Sequence, residues 1–280
     1  MSNCEQERGN QEQREKSIFL ETALHAAKRA EEVILHYYSP NVQVTYKLDE
    51  SPVTIADKLA EQVIIEIIRD QFPTHSILGE ETGADNRHLD YQWIIDPIDG
   101  TKNYIRQIPL FATLIALQKK GELVLGVSNA PALHELMYAE KGSGAFLNGQ
   151  RVRVSSTDKL ADAYMGFTSV KSFERGNLLP EFLALTHHTQ TSRSFTDFWK
   201  YHLLAQGKID ACVDVGTNIW DVAAPSIIIQ EAGGRVTDLQ GNPLTTASHS
   251  HVASNGLLHK AVLQHFSKLN TEKYEISLAE

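Results

Sequence analysis

Strand-like segments follow one another closely between residues 76 and 155, and this succession constrains the fold more than any other feature. The segments SILGEE, YQWIID, ATLIALQKK, ELVLGVSNA and ELMYAEK are apolar or alternating, and tight turns join several of them. GAFLNGQRVRVS then contains Asn148-Gly149, a strong signal for a two-residue hairpin turn. The pattern predicts a large, mostly antiparallel sheet in this part of the chain.

Helical patterns come before this predicted sheet. Apolar side chains recur at helical spacing over residues 17–38. Ser39-Pro40 marks the end of that helix, because a residue before proline avoids the helical conformation. NVQVTYK then alternates like a strand. The next helix follows Thr54, which together with Asp57 three residues later resembles a capping box.

Strands and helices alternate after about residue 160. AYMGFT, IDACVDV, RVTDL and HVASN predict strands, while residues 180–187, DFWKYHLLAQG, WDVAAPSIIIQEAGG and GLLHKAVLQHFSKL predict helices. Alternation of this kind is typical of an α/β arrangement. We therefore expect an N-terminal α+β half at 16–155 and a C-terminal α/β half at 156–268. A disordered tail at 1–15 and a polar tail at 269–280 flank them.

Composition and charge exclude several classes of protein. The 280 residues allow one or two domains, and the net charge of -9 argues against a general nucleic-acid-binding face. No apolar run approaches the roughly 20 residues that span a membrane, and the N-terminus lacks the apolar core of a signal peptide. Two cysteines, Cys4 and Cys212, are too few for a disulfide scaffold, so we expect a reduced, cytoplasmic setting.

Two aspartates follow directly after an apolar strand in WIIDPIDGTKNY. The simpler interpretation of Asp96 and Asp99 is a surface turn, because Asp-Pro and Asp-Gly are common in turns. A buried strand end, however, holds side chains firmly enough to coordinate an ion. Gly100 allows the loop to bend tightly, and Thr101 adds a hydroxyl group. The motif therefore favours a metal site built on a turn.

Other acids stand at comparable positions. Glu80 and Glu81 end the strand SILGEE, Asp221 begins a predicted helix, and Asp57 belongs to the capping box. Each has a simpler structural interpretation: a solvated loop, an acid at a helix N-terminus, or a helix cap. If the acids converge, carboxylates within about 4–6 Å raise one another's pKa values, and divalent cations are needed to hold them together. Oxygen ligands favour Mg²⁺ or Mn²⁺ over zinc.

These motifs occur in an order that is known from one family. GEE at 79–81, WIIDPIDGTKNY at 93–104 and WDVAAPSIIIQEAGG at 220–234 resemble the inositol monophosphatase family of metal-dependent phosphatases, over roughly residues 17–268. The resemblance implies an α/β (α+β) fold, the layered αβαβα sandwich of the inositol monophosphatase and fructose-1,6-bisphosphatase type. It also implies a homodimer that hydrolyses a phosphate monoester with two or three Mg²⁺ ions, or Mn²⁺, between its two halves.

The resemblance also implies roles for individual residues. Thr101 and Asp57 would orient or deprotonate the attacking water, and Lys47 matches a lysine on a loop that covers the site. The backbone amides at Gly100 and Thr101 would hold phosphate oxygens, whereas Glu81 would not be a direct ligand. The implied metal ligands are four carboxylates and one backbone carbonyl, from Glu80, Asp96, Asp99, Asp221 and Ile98.

The stretch before the third motif bears on the substrate. FTDFW departs from the G-[ST]-A-A pattern of inositol monophosphatases and resembles the histidinol-phosphatase branch, as does KNYIRQIPLFATLIAL. Histidinol phosphate carries an ammonium group and an imidazole, and an acid at the leaving-group end would pair with the amine. Asp197 and Asp214 are the candidates; their simpler interpretations are a helix N-terminal acid and a strand-end acid at the surface.

Several functions remain open at this point. The resemblance favours a histidinol-phosphate phosphatase of histidine biosynthesis, with a small-molecule phosphate ester as its partner and neither nucleic acid nor membrane. An inositol-1-monophosphatase or a broad-specificity small-molecule phosphatase is an alternative within the family. A non-catalytic regulatory protein with the same fold belongs to another class, and Mg²⁺-dependent phosphate release distinguishes it from an enzyme.

Overall fold

The structure is a computed structural model that describes residues 16–267, except Asp49, Asn86 and the side chains of His88 and Leu89. The tails predicted at 1–15 and 269–280, and Cys4, lie outside the described residues. Among the residues described, no helix combines the length and the apolar character needed to cross a bilayer.

Two long helices form the N-terminal layer. Helix α1 (Ile18–Tyr37) begins at Ser17, whose hydroxyl accepts a hydrogen bond from the Leu20 N–H. A short hairpin, β1 (Val44–Tyr46) and β2 (Pro52–Thr54), leads into helix α2 (Ile55–Gln71). The predicted capping box of Thr54 and Asp57 begins α2. Small alanine side chains on both helices are buried, which lets the pair pack closely.

An eight-stranded sheet follows, in the spatial order β10-β9-β8-β7-β6-β5-β3-β4. The prediction of a mostly antiparallel sheet is confirmed, with one exception: β3 and β5 pair in parallel because β4 turns the chain back between them. The predicted hairpin at Asn148-Gly149 joins β9 to β10, and both residues have positive φ. The strands are β3 (His75–Gly79), β4 (Gly83–Ala84), β5 (His88–Asp99), β6 (Ala112–Lys119), β7 (Glu122–Ala130), β8 (Glu135–Glu140), β9 (Gly144–Leu147) and β10 (Gln150–Val152).

A five-stranded mixed sheet forms the core of the C-terminal half, in the order β12-β11-β13-β15-β14. Its strands are β11 (Tyr164–Phe167), β12 (Thr191–Ser194), β13 (Ala211–Val215), β14 (Arg235–Thr237) and β15 (Ser250–Ser254). The remaining helices are the short α3 (Thr101–Tyr104), α4 (Val170–Arg175), α5 (Leu179–His188), α6 (Trp199–Ala205), α7 (Ile219–Glu231) and α8 (His259–Phe266). The chain passes from the first sheet to the second between β10 and β11.

Alternating side chains of β5 show how the layers stack. Trp93 and Ile95 pack with α1 and α2 on one face of the first sheet, whereas Ile94 packs with α6 and α7 on the other. The second sheet covers α6 and α7, and its far face packs against α4, α5 and α8. Gly126 allows α7 to cross the first sheet, since a Cβ there would lie 2.5 Å from the Ala224 carbonyl oxygen. This order is the αβαβα sandwich that the resemblance to the inositol monophosphatase family implies.

Candidate active site

A bulge at the end of β5 places two aspartates at the edge of the first sheet. Asp96 pairs with Leu114 of β6, but Asp99 pairs with Ala112, so three steps on β5 match two steps on β6. The Ile98 N–H donates to the Asp96 carboxylate at 3.0 Å. Asp-Pro and Asp-Gly therefore do form a turn, as the simpler interpretation of the sequence has it, and that turn orients both carboxylates.

Asp221 joins these two aspartates from the first turn of α7. Carboxylate oxygens of Asp96, Asp99 and Asp221 lie within 4.8 Å of one another. The Asn218 N–H donates to Asp221 Oδ2 at 2.8 Å in a capping box, so the helix-cap interpretation of Asp221 holds alongside its place in the cluster. Three acids that are distant in sequence thus converge on one point.

The electrostatics of this cluster fit a divalent cation. Burial, followed by the charge of Glu80, raises the pKa of Asp96 well above its usual range, and burial together with Asp197 and Asp221 does the same for Asp99. Burial raises the pKa of Asp221 to about 7. Within the described part of the chain, none of the three carboxylates forms an ion pair with lysine or arginine. An all-oxygen donor set without an internal cation suits a hard divalent ion.

Glu80 lies beside Asp96 and is held by a lysine. The Lys47 ammonium contacts Glu80 Oε1 at 2.8 Å and Glu81 Oε1 at 2.7 Å. Burial alone would favour the neutral amine, but hydrogen bonds to both glutamates outweigh it and raise the pKa of Lys47. The lysine therefore pairs with Glu80, the one predicted carboxylate ligand that stands outside the group of three aspartates. Lys47 follows β1, so the β1–β2 hairpin carries this charge to the site.

Thr101 lies between Asp57 and the carbonyl of Ile98. Its hydroxyl is 3.3 Å from Asp57 Oδ1 and 3.0 Å from the Ile98 oxygen. A threonine has one hydroxyl proton, so it donates to one of these acceptors at a time. Asp57 Oδ2 accepts from both the N–H and the hydroxyl of Thr54, and burial raises the pKa of Asp57 to about 6. Asp57 is thus both a helix cap and a hydrogen-bond acceptor for the Thr101 hydroxyl.

Gly100 connects the bulge to α3 with a φ of +92°. A Cβ at this position would lie 2.7 Å from the Leu110 carbonyl oxygen and 3.2 Å from Asp197 Oδ2. Both the positive φ and the close approach require glycine here. The tight turn brings the backbone of Gly100 and Thr101 next to the acidic cluster and, at the same time, close to Asp197.

The predicted substrate residues meet the acidic cluster in one cavity of about 580 Å³. It lies between the N-terminal and C-terminal halves, because its walls come from β5, α3, β13 and the start of α7. The site residues among those that line it are Glu80, Asp99, Gly100, Thr101, Asp197, Asp214 and Asp221.

Asp197 does not belong to a helix, contrary to its simpler interpretation. Helix α6 begins at Trp199, and both Thr196 (φ +46°) and Asp197 (φ +33°) adopt left-handed backbone conformations. Such conformations cost on the order of 1–3 kcal/mol for a non-glycine residue and cluster at functional sites. Asp197 Oδ2 accepts hydrogen bonds from the Asn103 amide at 2.9 Å and from the Thr196 hydroxyl at 2.7 Å.

Asp214 is a buried carboxylate, so its interpretation as a surface strand-end acid is wrong. Its side chain is 2% exposed, and the Thr168 N–H donates to Oδ1 at 2.9 Å. Oδ2 contacts the Lys200 ammonium at 2.9 Å and accepts from the Tyr201 hydroxyl at 3.0 Å. Burial alone would raise the pKa of Asp214, but Lys200 and the other donors outweigh it and lower that pKa.

Glu61 supports the site but does not stand out in the motifs. Its buried carboxylate accepts hydrogen bonds from the backbone N–H groups of Glu81 at 3.0 Å and Thr82 at 2.8 Å. A Cβ on Gly79 would lie 2.5 Å from Glu61 Oε1, so the glycine makes room for the carboxylate. Glu61 thereby fixes the turn that carries Glu80. The sequence signal is an acid on the apolar face of α2, in register with Ile64 and Ile68.

Proteins of known name are similar in sequence to this chain over most of its length. A histidinol-phosphatase of Mycobacterium tuberculosis is 38% identical over 249 residues, covering 86% of this chain and 95% of that protein. The Nus factor SuhB of Pasteurella multocida is 36% identical over 250 residues, covering 86% of this chain and 91% of that protein. Among solved structures, the inositol monophosphatase of Thermotoga maritima has a TM-score of 0.81 and 33% identity, covering 90% of this chain and 97% of that one.

The family model agrees with these pairwise matches. The model described as the inositol monophosphatase family matches residues 15–271, a span that includes both sheets and every acid of the cluster. The names of the relatives differ, so they define a type of chemistry and leave the substrate open. The fold, the converging acids and the match along nearly the whole chain lead to one conclusion: the chain belongs to the inositol monophosphatase family of metal-dependent phosphatases.

Proposed function

We propose that this chain is a Mg²⁺-dependent histidinol-phosphate phosphatase, which converts L-histidinol phosphate and water to L-histidinol and phosphate. The observation that carries the proposal is the position of Asp197. Its carboxylate lines the same cavity as Asp99 and Asp221, in a left-handed turn directly before α6. An acid fixed at this point suits a phosphate ester whose leaving group bears an ammonium group.

The metal would be held by the acidic cluster. Asp96, Asp99, Asp221, Glu80 and the Ile98 carbonyl form an oxygen donor set that fits two or three Mg²⁺ ions, with Mn²⁺ as a substitute. When bound, such ions neutralise the phosphate dianion, lower the pKa of a water molecule and stabilise the leaving alkoxide. Lys47 would leave Glu80 as the metal is taken up, because the lysine now occupies that carboxylate.

The proton of the attacking water would pass to Thr101 and Asp57. The Thr101 hydroxyl can accept a hydrogen bond from water while it donates its own proton toward Asp57 Oδ1. A pKa of about 6 makes Asp57 a competent proton acceptor near neutral pH. The backbone amides of Gly100 and Thr101 would hold the phosphate oxygens, since both residues line the cavity beside Asp99.

The two acids predicted to bind the substrate are not equivalent. Asp197 accepts the hydrogen bonds from Asn103 and Thr196 with Oδ2, forms no ion pair among the described residues, and lines the cavity. Asp214 has both oxygens engaged within the protein. We therefore propose Asp197 as the partner of the substrate ammonium. We also propose a role in histidine biosynthesis, which the names of its histidinol-phosphatase relatives support, and, from the family resemblance alone, a cytoplasmic homodimer.

A substrate comparison tests this function directly. We expect kcat/KM with Mg²⁺ to be highest for L-histidinol phosphate, lower for p-nitrophenyl phosphate and inositol 1-phosphate, and abolished by a chelator. The Asp197→Asn variant should lose the preference for histidinol phosphate while retaining turnover of p-nitrophenyl phosphate. Faster turnover of inositol 1-phosphate would show an inositol monophosphatase instead. A protein that releases no phosphate from any ester would belong to the regulatory class.

A further inference from the structure

Lys200 is a fully buried lysine and the second residue of α6. Its side chain is 2% exposed, and the side chain of its partner Asp214 is equally buried. Lysine is almost never fully buried unless it is paired, so a burial this complete requires strong local compensation. Lys200 lines the cavity that also contains Asp197 and Asp214, although no family motif in the sequence includes it.

The ammonium of Lys200 joins three separate segments. It donates to Asp214 Oδ2 on β13 at 2.9 Å, to the Thr168 hydroxyl after β11 at 2.8 Å, and to the backbone carbonyl of Asp197 at 2.6 Å. An ammonium group has three N–H donors, so all of them are used. The side chain therefore ties the second sheet to the turn that precedes α6.

That turn needs support from outside. Thr196 and Asp197 are adjacent non-glycine residues with positive φ, and threonine is β-branched, which makes the conformation more costly. Backbone of this kind persists only where the surrounding structure over-determines it. Lys200 binds the carbonyl of Asp197, and Asn103 binds its carboxylate. Together they fix the direction of the Asp197 side chain.

The same ammonium has opposite effects on the two acids. It neutralises the carboxylate of Asp214, which then has no charge left for a ligand. It donates to the backbone carbonyl of Asp197, whose carboxylate forms no ion pair among the described residues and lines the cavity. A single lysine thus separates a structural acid from a binding acid, although both lie in the wall of one cavity.

We propose that Lys200 is a positioning residue that determines substrate specificity: it retains Asp214 as a structural acid and holds the Thr196–Asp197 turn so that Asp197 receives the substrate ammonium. This inference rests on the proposed function for the identity of the ammonium-bearing ester. It concerns a residue that acts through Asp197 and does not itself touch the substrate.

The test compares two variants of the full-length protein. Asp214→Asn keeps the Lys200 side chain but leaves its ammonium buried without a carboxylate, so the unmodified protein serves as a second reference. Lys200→Met combined with Asp214→Asn removes the bond to the Asp197 carbonyl and leaves no buried charge unpaired. Relative to D214N, the double variant should raise KM for histidinol phosphate by about tenfold or more, as expected when a hydrogen bond to a charged group is lost. Its kcat should change by less than about threefold, and p-nitrophenyl phosphate, which has no amine, should show no such rise in KM.

A cycle with Asp197→Asn makes the result decisive. If Lys200 acts through Asp197, adding K200M to the D197N/D214N protein causes no further rise in KM for histidinol phosphate. A further rise of the same size, or an equal loss with both esters, would overturn the proposal, because Lys200 would then act elsewhere or only on stability.

Amide hydrogen exchange separates this inference from the proposed function. Exchange over residues 195–199 should be faster in K200M/D214N than in D214N, whatever the substrate of the enzyme is. If exchange accelerates but histidinol phosphate is a poor substrate of the unmodified protein, the proposed function fails and the positioning role of Lys200 stands. If exchange is unchanged, the positioning role is wrong even when histidinol phosphate is the preferred substrate.

Discussion

Two groups of buried acids stand side by side in this protein, and they differ in what balances their charge. Asp96, Asp99 and Asp221 converge without an ion pair among the described residues, and their pKa values are raised. Asp214 is as deeply buried as Asp96 and more deeply buried than Asp99 and Asp221, but Lys200 pairs with it and its pKa is lowered. Position at a strand end is common to Asp99 and Asp214, so the neighbouring cation, more than the strand, separates a proposed metal ligand from a structural acid.

The largest expected effect comes from removing one carboxylate from the group of three aspartates that has no ion pair in the described part of the chain. We expect Asp99→Asn to lower kcat/KM by roughly 1,000-fold or more, about 4 kcal/mol of transition-state stabilisation, because it removes a proposed ligand. It should also raise the Tm of the metal-free protein, since it relieves repulsion among the acids. Asp90→Asn, at an exposed position of the same strand, is the matched control. Unchanged turnover in D99N would show that Asp99 is not a metal ligand.

Breaking the buried ion pair of Lys200 and Asp214 should lower the stability of the folded protein. Lys200→Met leaves Asp214 buried without its cation, and we expect a loss of about 3–5 kcal/mol in the free energy of unfolding. Adding Asp214→Asn should recover most of that loss, because the unpaired charge is gone. Urea unfolding followed by circular dichroism measures both, with the exposed Lys208→Met as control. A K200M protein as stable as the unmodified one would contradict the compensation described here.

Glu61 is intermediate between the unpaired aspartates and the lysine-paired Asp214, because backbone N–H groups hydrogen-bond its carboxylate and no cation does so within the residues that the structure describes. We expect Glu61→Gln to weaken Mg²⁺ binding by about 10- to 100-fold, as outer ligands typically do, through loss of order in the turn that carries Glu80. Isothermal titration with Mg²⁺ measures this without reference to turnover. Glu66→Gln, on the exposed face of the same helix, should bind Mg²⁺ as tightly as the unmodified protein. Equal affinity in both variants would remove Glu61 from the site.

The pH dependence of stability should be the smallest effect and has opposite signs for the two groups. A carboxyl whose pKa is raised on folding stabilises the folded state when protonated, so that contribution falls as the pH rises toward about 7 for Asp221. The Tm of the metal-free protein should therefore rise by a few degrees when the pH is lowered from 8 to 6. Saturating Mg²⁺ should remove this rise. Asp214, with a lowered pKa, contributes stability above its unfolded pKa and loses it only in stronger acid.

Differential scanning fluorimetry across this pH range, with and without Mg²⁺, checks the sign. A Tm that rises with pH in the metal-free protein would mean that the three aspartates are compensated by groups other than a metal. The variant D99N should show a flatter profile than the unmodified protein, since it removes one member of the repelling group.

Much of the fold was predictable because its signals are local. The capping box at Thr54, the hairpin at Asn148-Gly149 and the antiparallel strands are confirmed. The start of α6 was predicted less accurately. The segment DFWKYHLLAQG suggested a helix from Asp197, whereas α6 begins at Trp199. The left-handed turn before it depends on contacts with Asn103 and Lys200, and such contacts leave no periodic trace in a sequence.

Local patterns in the sequence were enough to predict the strands, the helices and the candidate metal acids, and the family resemblance implied how the layers stack. Alternation along β5 places Ile94 and Ile95 on opposite faces of the sheet. Acids directly after a strand or at the start of a helix can be recognised from a short stretch of sequence. Contacts in the folded molecule establish which acids are paired within the protein and which stand without a cation among the described residues. The partner of Asp214 comes from a helix fourteen residues earlier, and the amides that hold Glu61 come from a turn twenty residues later. Charge compensation depends on distance in space, and folding sets that distance.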